Sequence, residues 1–163
     1  MTVSFRIGLG YDSHRLGNGG PLRVGGMDLE SDVHSIGHSD ADVLLHAITD
    51  AVLGSVAEPD IGRLFSNQDS DNRDRDSRDF LAEAMRRLAL HRMQIVNLDA
   101  VILAEQPKMA PHVDQMRTNI AQMLHTPVEH IGLKAKSGEG VDAVGHGEAI
   151  AARAVVLVQA IED

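Results

Sequence analysis

The sequence contains no cysteine, which excludes a disulfide framework and any thiolate metal site, so a transition metal could be held only by histidine and carboxylate. It has no tryptophan, one tyrosine and three phenylalanines, too few rings to stack a run of bases. Its 15 Lys and Arg are outnumbered by 24 Asp and Glu, for a formal net charge of -9, which leaves no basic face for a phosphate backbone. Nucleic acid is therefore not an expected partner. Neither is a membrane: the most apolar segment is interrupted by Arg153 and Gln159, and Met1 to Arg6 runs into strand-like sequence without an apolar signal core. The expectation is a soluble cytoplasmic protein. Its 163 residues suit one domain, 1–163, with a core that needs no crosslink. An acidic protein that handles a phosphorylated small molecule must overcome its own field locally, through bound cations, a few lysines and backbone N–H groups.

Histidine, by contrast, is plentiful. There are nine, and His14, His34, His38 and His46 fall in the first third of the chain.

Phe5, Ile7, Leu9 and Tyr11 alternate with smaller or polar residues, which predicts a first strand ending near Asp12. Pro21 to Leu29, centred on Gly25-Gly26, predicts a hairpin leading into a loop through Ser35 to Gly37. From Ser39 or Asp40, both good N-caps, the period changes. Leu44, Ala47, Ile48, Ala51 and Val52 form an apolar stripe at helical spacing that should stop near Gly54. The charged run Asp69 to Arg78 reads as a mobile surface loop. A second helix carries Phe80, Leu81, Ala84, Met85 and Leu88, and Ile95 to Leu103 reads as a buried strand. Pro111 opens a third helix with Val113, Met116, Ile120, Met123 and Leu124 as its core stripe. Ile131 to Ala135 is strand-like, Gly138 to Gly147 a loop, and Ala149 to Ile161 a last strand apolar on both faces, which calls for cover on both sides and makes a subunit partner the simplest second cover. The order predicts an α/β (α+β) fold, a single sheet backed by helices.

Asp12 and His14 are two apart on a strand and so point the same way, where His46 from the polar side of the first long helix could join them. One carboxylate and two imidazoles with a free fourth position is the pattern of a catalytic zinc site, although Asp-x-His alone also fits a satisfied surface histidine. Asp42 and Asp50 lie one turn either side of His46, where they could fix its tautomer or simply solvate the helix. His38-Ser39-Asp40 just before the helix could form an anion-binding end or an ordinary cap. Lys134 and Lys136 face one way on a strand, with Ser137 and Glu139 following. Lysines suit phosphate oxygens and a carboxylate beside them suits Mg²⁺, while a solvated face is the plainer reading.

Several segments in order along nearly the whole chain resemble the 2-C-methyl-D-erythritol 2,4-cyclodiphosphate synthase family. They are Arg6-Ile7-Gly8-x-Gly10-Tyr11-Asp12-x-His14, the run His38 to Ala51, Asp60-Ile61-Gly62, Asp76-Ser77-Arg78, Pro107-Lys108-Met109-x-Pro111-His112 and Gly145-x-Gly147-Glu148. The resemblance implies conversion of 4-diphosphocytidyl-2-C-methyl-D-erythritol 2-phosphate to the 2,4-cyclodiphosphate and CMP. It implies Zn²⁺ on Asp12, His14 and His46, with Mg²⁺ or Mn²⁺ held by Glu139 between the α- and β-phosphates. His38, Asp60, Lys136, Ser137 and Glu139 would serve the reaction. Asp60 and Gly62 would hold the methylerythritol hydroxyls, and His38 and Ser39 the phosphate end. Asp50 and Asp69 would face substrate, while Ala104, Lys108, Met109 and Ala135 would wrap the cytidine. The family forms a homotrimer with sheets around the threefold axis and sites between subunits, which would cover the last strand. His146 would line the axial cavity. Two departures from the family pattern stand out: Ser66-Asn67-Gln68-Asp69 follows Phe65 where Pro-Asp-Thr-Asp is usual, and Ala143 and His146 stand where many members carry an aromatic and an Arg. Two other readings are a zinc phosphodiesterase or phosphatase, which would release linear products, and a trimeric ligand-binding protein without turnover.

Overall fold

A computed structural model describes residues 4–66, 68 and 70–162. The described elements are β1 (Phe5–Asn18), β2 (Leu22–Val24), β3 (Met27–Leu29), β4 (Val33–Ile36), α1 (Val43–Ser55), α2 (Ile61–Leu64), α3 (Ser77–Leu90), β5 (Met93–Leu103), α4 (Val113–Met123), β6 (Ile131–Lys136), α5 (Asp142–Gly145) and β7 (Ala149–Ala160), with short 3₁₀ turns between some of them. Five strands form one mixed sheet in the order β4-β1-β7-β5-β6, and β2 and β3 form a separate hairpin. Only β5 and β6 are parallel neighbours; the other pairs are antiparallel.

Register makes the sheet legible row by row. Gly8, Val156, Leu98 and Ile131 lie abreast, as do Gly10, Ala154, Ala100 and Leu133, and then Asp12, Ala152, Ile102 and Ala135. These rows share one face. Their apolar members join one buried cluster with Leu44, Ile48 and Val52 of α1, Leu81 and Leu88 of α3, and Met116 and Ile120 of α4. The helices therefore back this face. The intervening residues Ile7, Leu9 and Tyr11 point the other way, and are 71%, 69% and 55% exposed.

Gly8 and Gly10 explain where α1 sits. A Cβ added at Gly8 would lie 1.8 Å from the Ala51 carbonyl oxygen, and one at Gly10 would lie 1.8 Å from that of Ala47. The missing side chains let the helix backbone rest directly on β1. This close seat carries His46, next to Ala47, onto the middle of the strand, beside Asp12 and His14.

Four local expectations change. β1 continues past Asp12 to Asn18, because its second half is paired with β4 as well as β7. β4 occupies part of the expected loop. The cap of α1 is Asp42, whose side chain accepts from Leu45 N–H, and neither Ser39 nor Asp40. From Ser70 on, the charged run is not wholly at the surface: Asp74 N–H donates to the His38 carbonyl, Asp40 N–H donates to the Arg75 carbonyl, and Asn72 and Ser77 are buried. Asn67 and Asp69 lie outside the described residues.

Candidate metal centre

β1 supplies Asp12 and His14 from the helix-facing side, and α1 supplies His46. Asp12 Oδ2 is 2.9 Å from His14 Nε2 and 2.9 Å from His46 Nδ1, and the two nitrogens are 3.3 Å apart. Among the described residues, these three form a group that could hold a metal ion. Bonds of about 2.0–2.1 Å at tetrahedral angles put neighbouring ligand atoms about 3.3 Å apart, so the triangle fits one face of such a site. The side chains are 27%, 15% and 11% exposed, mostly buried but reachable.

Electrostatics agree with a cation site. Burial alone would raise the Asp12 carboxyl, but hydrogen bonds and attraction from His14 and His46 hold it down at about 2. Burial alone would lower His14, and the Asp12 carboxylate outweighs it and raises the imidazole above its usual value. Without a cation, Asp12 therefore favours the protonated form of His14 at the place the cation would take.

The ligands are oriented from behind. His14 Nδ1 lies 3.2 Å from the Ile36 carbonyl, and His46 Nε2 lies 2.8 Å from Ser77 Oγ and 3.2 Å from Ser39 Oγ. Phe80 stacks beside His46 with ring centroids 5.9 Å apart, Phe65 lies 4.7 Å from Phe80, and the Arg75 guanidinium sits over both phenylalanines. Together these rings wall one side of a cavity of about 290 Å³ that opens on the cluster and is also lined by His38, Ser39, Gly62 and Asn72.

Asp42 and Asp50, grouped with His46 by helical spacing, do other work. Asp42 is fully buried, and accepts from Gly25 N–H at 2.9 Å, Gly26 N–H at 2.7 Å and Leu45 N–H at 3.0 Å. Burial pushes its carboxyl up, and the three N–H donors pull against that. Asp50 accepts from Ile61 N–H at 2.8 Å, which fixes the start of α2 and so the place of Gly62. Burial raises its carboxyl too. Asp60 caps α2 by accepting from Arg63 N–H at 2.9 Å. The contacts that do reach His46, from Ser77 and through it Asp40, were not legible. The sequence singles out Ser77 only through the Asp76-Ser77-Arg78 segment of the resemblance, which gives the serine no role.

The second group of expected site residues lies elsewhere. Ala104 follows β5, Ala135 and Lys136 end β6, and Ala104 N–H donates to the Lys136 carbonyl, zipping the two segments together. Ser137 Oγ lies 3.3 Å from Glu139 Oε1, and Glu139 has a left-handed φ of 54°. Lys108 and buried Met109 follow the cis Gln106–Pro107 bond. None of these lines the cavity at the cluster. Asp12 and Ala135 occupy one row of the sheet but are three strands apart, about 14 Å at ~4.8 Å per strand. One chain thus holds two separate groups. His146 caps the C-terminal end of α5, in the segment expected to be a plain loop.

Comparison with known proteins gives a consistent result. The sequence pattern of the YgbB family matches residues 5–159. The 2-C-methyl-D-erythritol 2,4-cyclodiphosphate synthase of Rhodopirellula baltica is 65% identical over 158 residues, covering 97% of this chain and 95% of that protein. A solved structure of 2C-methyl-D-erythritol-2,4-cyclodiphosphate synthase in a CDP-bound form superposes with a TM-score of 0.87 at 38% identity, over 94% of this chain and 99% of that one. A Plasmodium falciparum IspF in complex with CDP gives 0.86 at 29% identity, over 97% of each chain.

Proposed function

Since the chain belongs to the YgbB family, we propose that it converts 4-diphosphocytidyl-2-C-methyl-D-erythritol 2-phosphate to 2-C-methyl-D-erythritol 2,4-cyclodiphosphate and CMP, a lyase step of non-mevalonate isoprenoid synthesis, as one domain over 1–163. The observation that carries this reading is the meeting of Asp12, His14 and His46 within 2.9–3.3 Å at the mouth of a cavity.

Asp12, His14 and His46 would hold Zn²⁺, the ion suited to one carboxylate and two imidazoles with an open position. Bound there, it would polarise a β-phosphate oxygen and neutralise charge. The reaction needs no protein nucleophile. An oxygen of the 2-phosphate attacks the β-phosphorus, the bond from that phosphorus to the α–β bridging oxygen breaks, and CMP leaves with the bridging oxygen. The chain's task is to hold the two phosphates in line. His38 and Ser39 line the cluster's cavity and would receive the phosphate end. Gly62 in the same cavity and Asp60 at the cap of α2 would hold the methylerythritol hydroxyls, with Asp50 keeping α2 in register. Ala104 to Met109 and Ala135 to Ser137, zipped edge to edge, would wrap the cytidine. Lys136 and Ser137 would meet the diphosphate, and Glu139 would hold Mg²⁺ or Mn²⁺ on it.

These two groups must combine to act, and their separation within one chain supports a homotrimer in which one subunit's cluster faces its neighbour's cytidine segment. The bare row of Ile7, Leu9 and Tyr11, with Val155 at 46% exposure on the adjoining strand, supports packing of sheets around the threefold axis. His146 would then line the axial cavity. Among the described residues no helix is long and apolar enough to cross a membrane, which is compatible with a cytoplasmic site of action.

Phosphorus NMR of the turnover mixture decides between this and hydrolysis. Cyclic diphosphate and CMP should appear in equal amounts; linear phosphate products would establish a zinc phosphatase or phosphodiesterase instead, and zinc content without turnover a binding protein.

A further inference from the structure

Each imidazole of the cluster must present one unprotonated nitrogen to a cation, and the protein has to select which. For His14 the selection is direct. Its Nδ1 faces the Ile36 carbonyl at 3.2 Å, a group that can only accept, so Nδ1 keeps its proton and Nε2 is the nitrogen left to give its lone pair to a cation.

For His46 the selection passes through two side chains. Asp40 accepts from Ser77 N–H at 3.0 Å through Oδ2, and from Asp42 N–H at 3.2 Å and the Ser77 hydroxyl through Oδ1. A carboxylate has only lone pairs to offer, so the Ser77 proton is committed to Asp40. Ser77 Oγ must then accept from its other close neighbour, His46 Nε2 at 2.8 Å. Ser39 Oγ, the second neighbour of Nε2 at 3.2 Å, already accepts from Ala41 N–H. Nε2 carries a proton in every state, which leaves Nδ1, the nitrogen facing Asp12 and His14, to offer its lone pair when a cation takes the place of the proton shared there. Arg23 stands behind this chain, with Nε 3.6 Å from Asp40 Oδ2 and Nη2 3.6 Å from Asp76 Oδ2. Hairpin, α1 approach and α3 start thus converge on one imidazole.

We infer that Asp40 and Ser77, backed by Arg23, form a proton-ordering chain that fixes His46 in its Nε2–H tautomer and thereby sets how tightly the cluster holds its cation. Asp40 and Ser77 are positioning residues acting through His46. The inference rests on the metal reading given above.

The test uses the full-length protein, Zn²⁺ competed against a chelator, and ¹⁵N NMR of the histidine rings in the zinc-loaded state. Wild type should show His46 bound through Nδ1 with a slowly exchanging Nε2 proton. Ser77→Ala should weaken zinc binding by about 10- to 100-fold and lose that protected proton. Asp40→Asn should do the same, because an amide can donate to Ser77 and release the serine proton toward His46; it carries the test if Ser77→Ala does not fold. Thr49→Val removes another fully buried hydroxyl of α1, one that donates to the Leu45 carbonyl. It should leave zinc affinity and the His46 signal unchanged. Zinc affinity within twofold of wild type in both Ser77→Ala and Asp40→Asn, or a wild-type His46 bound through Nε2, overturns the chain alone. Wild-type protein that takes up no zinc overturns the metal reading, and this inference with it.

Discussion

The two faces of β1 make opposite use of one alternating pattern. On the inner face Gly8 and Gly10 give up their side chains so that α1 can lie against the strand, and Asp12 and His14, the next two residues on that face, meet His46. On the outer face Ile7, Leu9 and Tyr11 stand bare. A strand repeats every two residues, so two of the three cluster residues and a candidate subunit interface fit into one short run without competing. The inner face depends on closeness, the outer on cover.

Substitutions on each face should separate these roles. The largest effect is expected from Gly10→Ala. Its Cβ would strike backbone atoms of Ala47 and Ala51, which cannot yield as a flexible side chain would. Stability should fall by about 3 kcal/mol or more, and the displaced helix should take zinc binding with it, measurable as a lower Tm and lost metal content. His46→Ala comes next. It should leave the fold intact by circular dichroism but remove zinc and lower cyclisation by ~10³-fold or more. Full cyclisation in a zinc-free variant would refute the proposed mechanism.

An outer-face change should do the reverse. Leu9→Asp would place a charge in the proposed subunit contact at a cost of about 2–3 kcal/mol per site. Sedimentation should then show smaller species, while zinc still binds the isolated chain. If the variant loses zinc and stays assembled, the division of roles between the faces is wrong.

The smallest effect is a pH dependence confined to the inner face. In the metal-free protein Asp12 is held at about 2 against an ordinary 3.8, and His14 is raised above 6.5. The lowered acid stabilises the fold above its ordinary value and loses that contribution as pH falls toward about 2. The raised base stabilises it below 6.5 and loses that contribution as pH rises through its folded value. Their joint contribution is thus complete only between about 3.8 and 6.5. A cation must displace the His14 proton, so zinc affinity should climb about tenfold per pH unit until that proton is gone. Chelator competition between about pH 6 and pH 8 would register the slope, and a flat profile would mean His14 is not a ligand.

Much of this is readable in the sequence. The stripes of α1, α3 and α4 are long and periodic, and two regular spacings, one of a strand and one of a helix, let Asp12, His14 and His46 meet, although it was the resemblance that named all three as ligands. What escaped was set by partners distant in sequence. Residues 13–18 lack strand character of their own, and β1 continues through them because β4 and β7 pair with it. Asp42 reads as a polar-face residue until the hairpin amides converge on it. Ser77 and Asp40 are 37 residues apart, and nothing local in either segment announces the other. Only the resemblance pointed to Asp76-Ser77-Arg78, and it gave the serine no role.

The hairpin of β2 and β3 has three residues in each strand, too few to persist alone in water. The Gly25 and Gly26 amides at its tip end on the Asp42 carboxylate, while Arg23 reaches Asp40 and Asp76. An appendage with no core of its own is therefore moored at both its turn and its flank, and it acts as a buttress for the helix entrance. Leu22, Val24 and Leu29 sink its inner side into the main core, so the moorings decide where its tip and flank lie, and through them how the helix entrance is held.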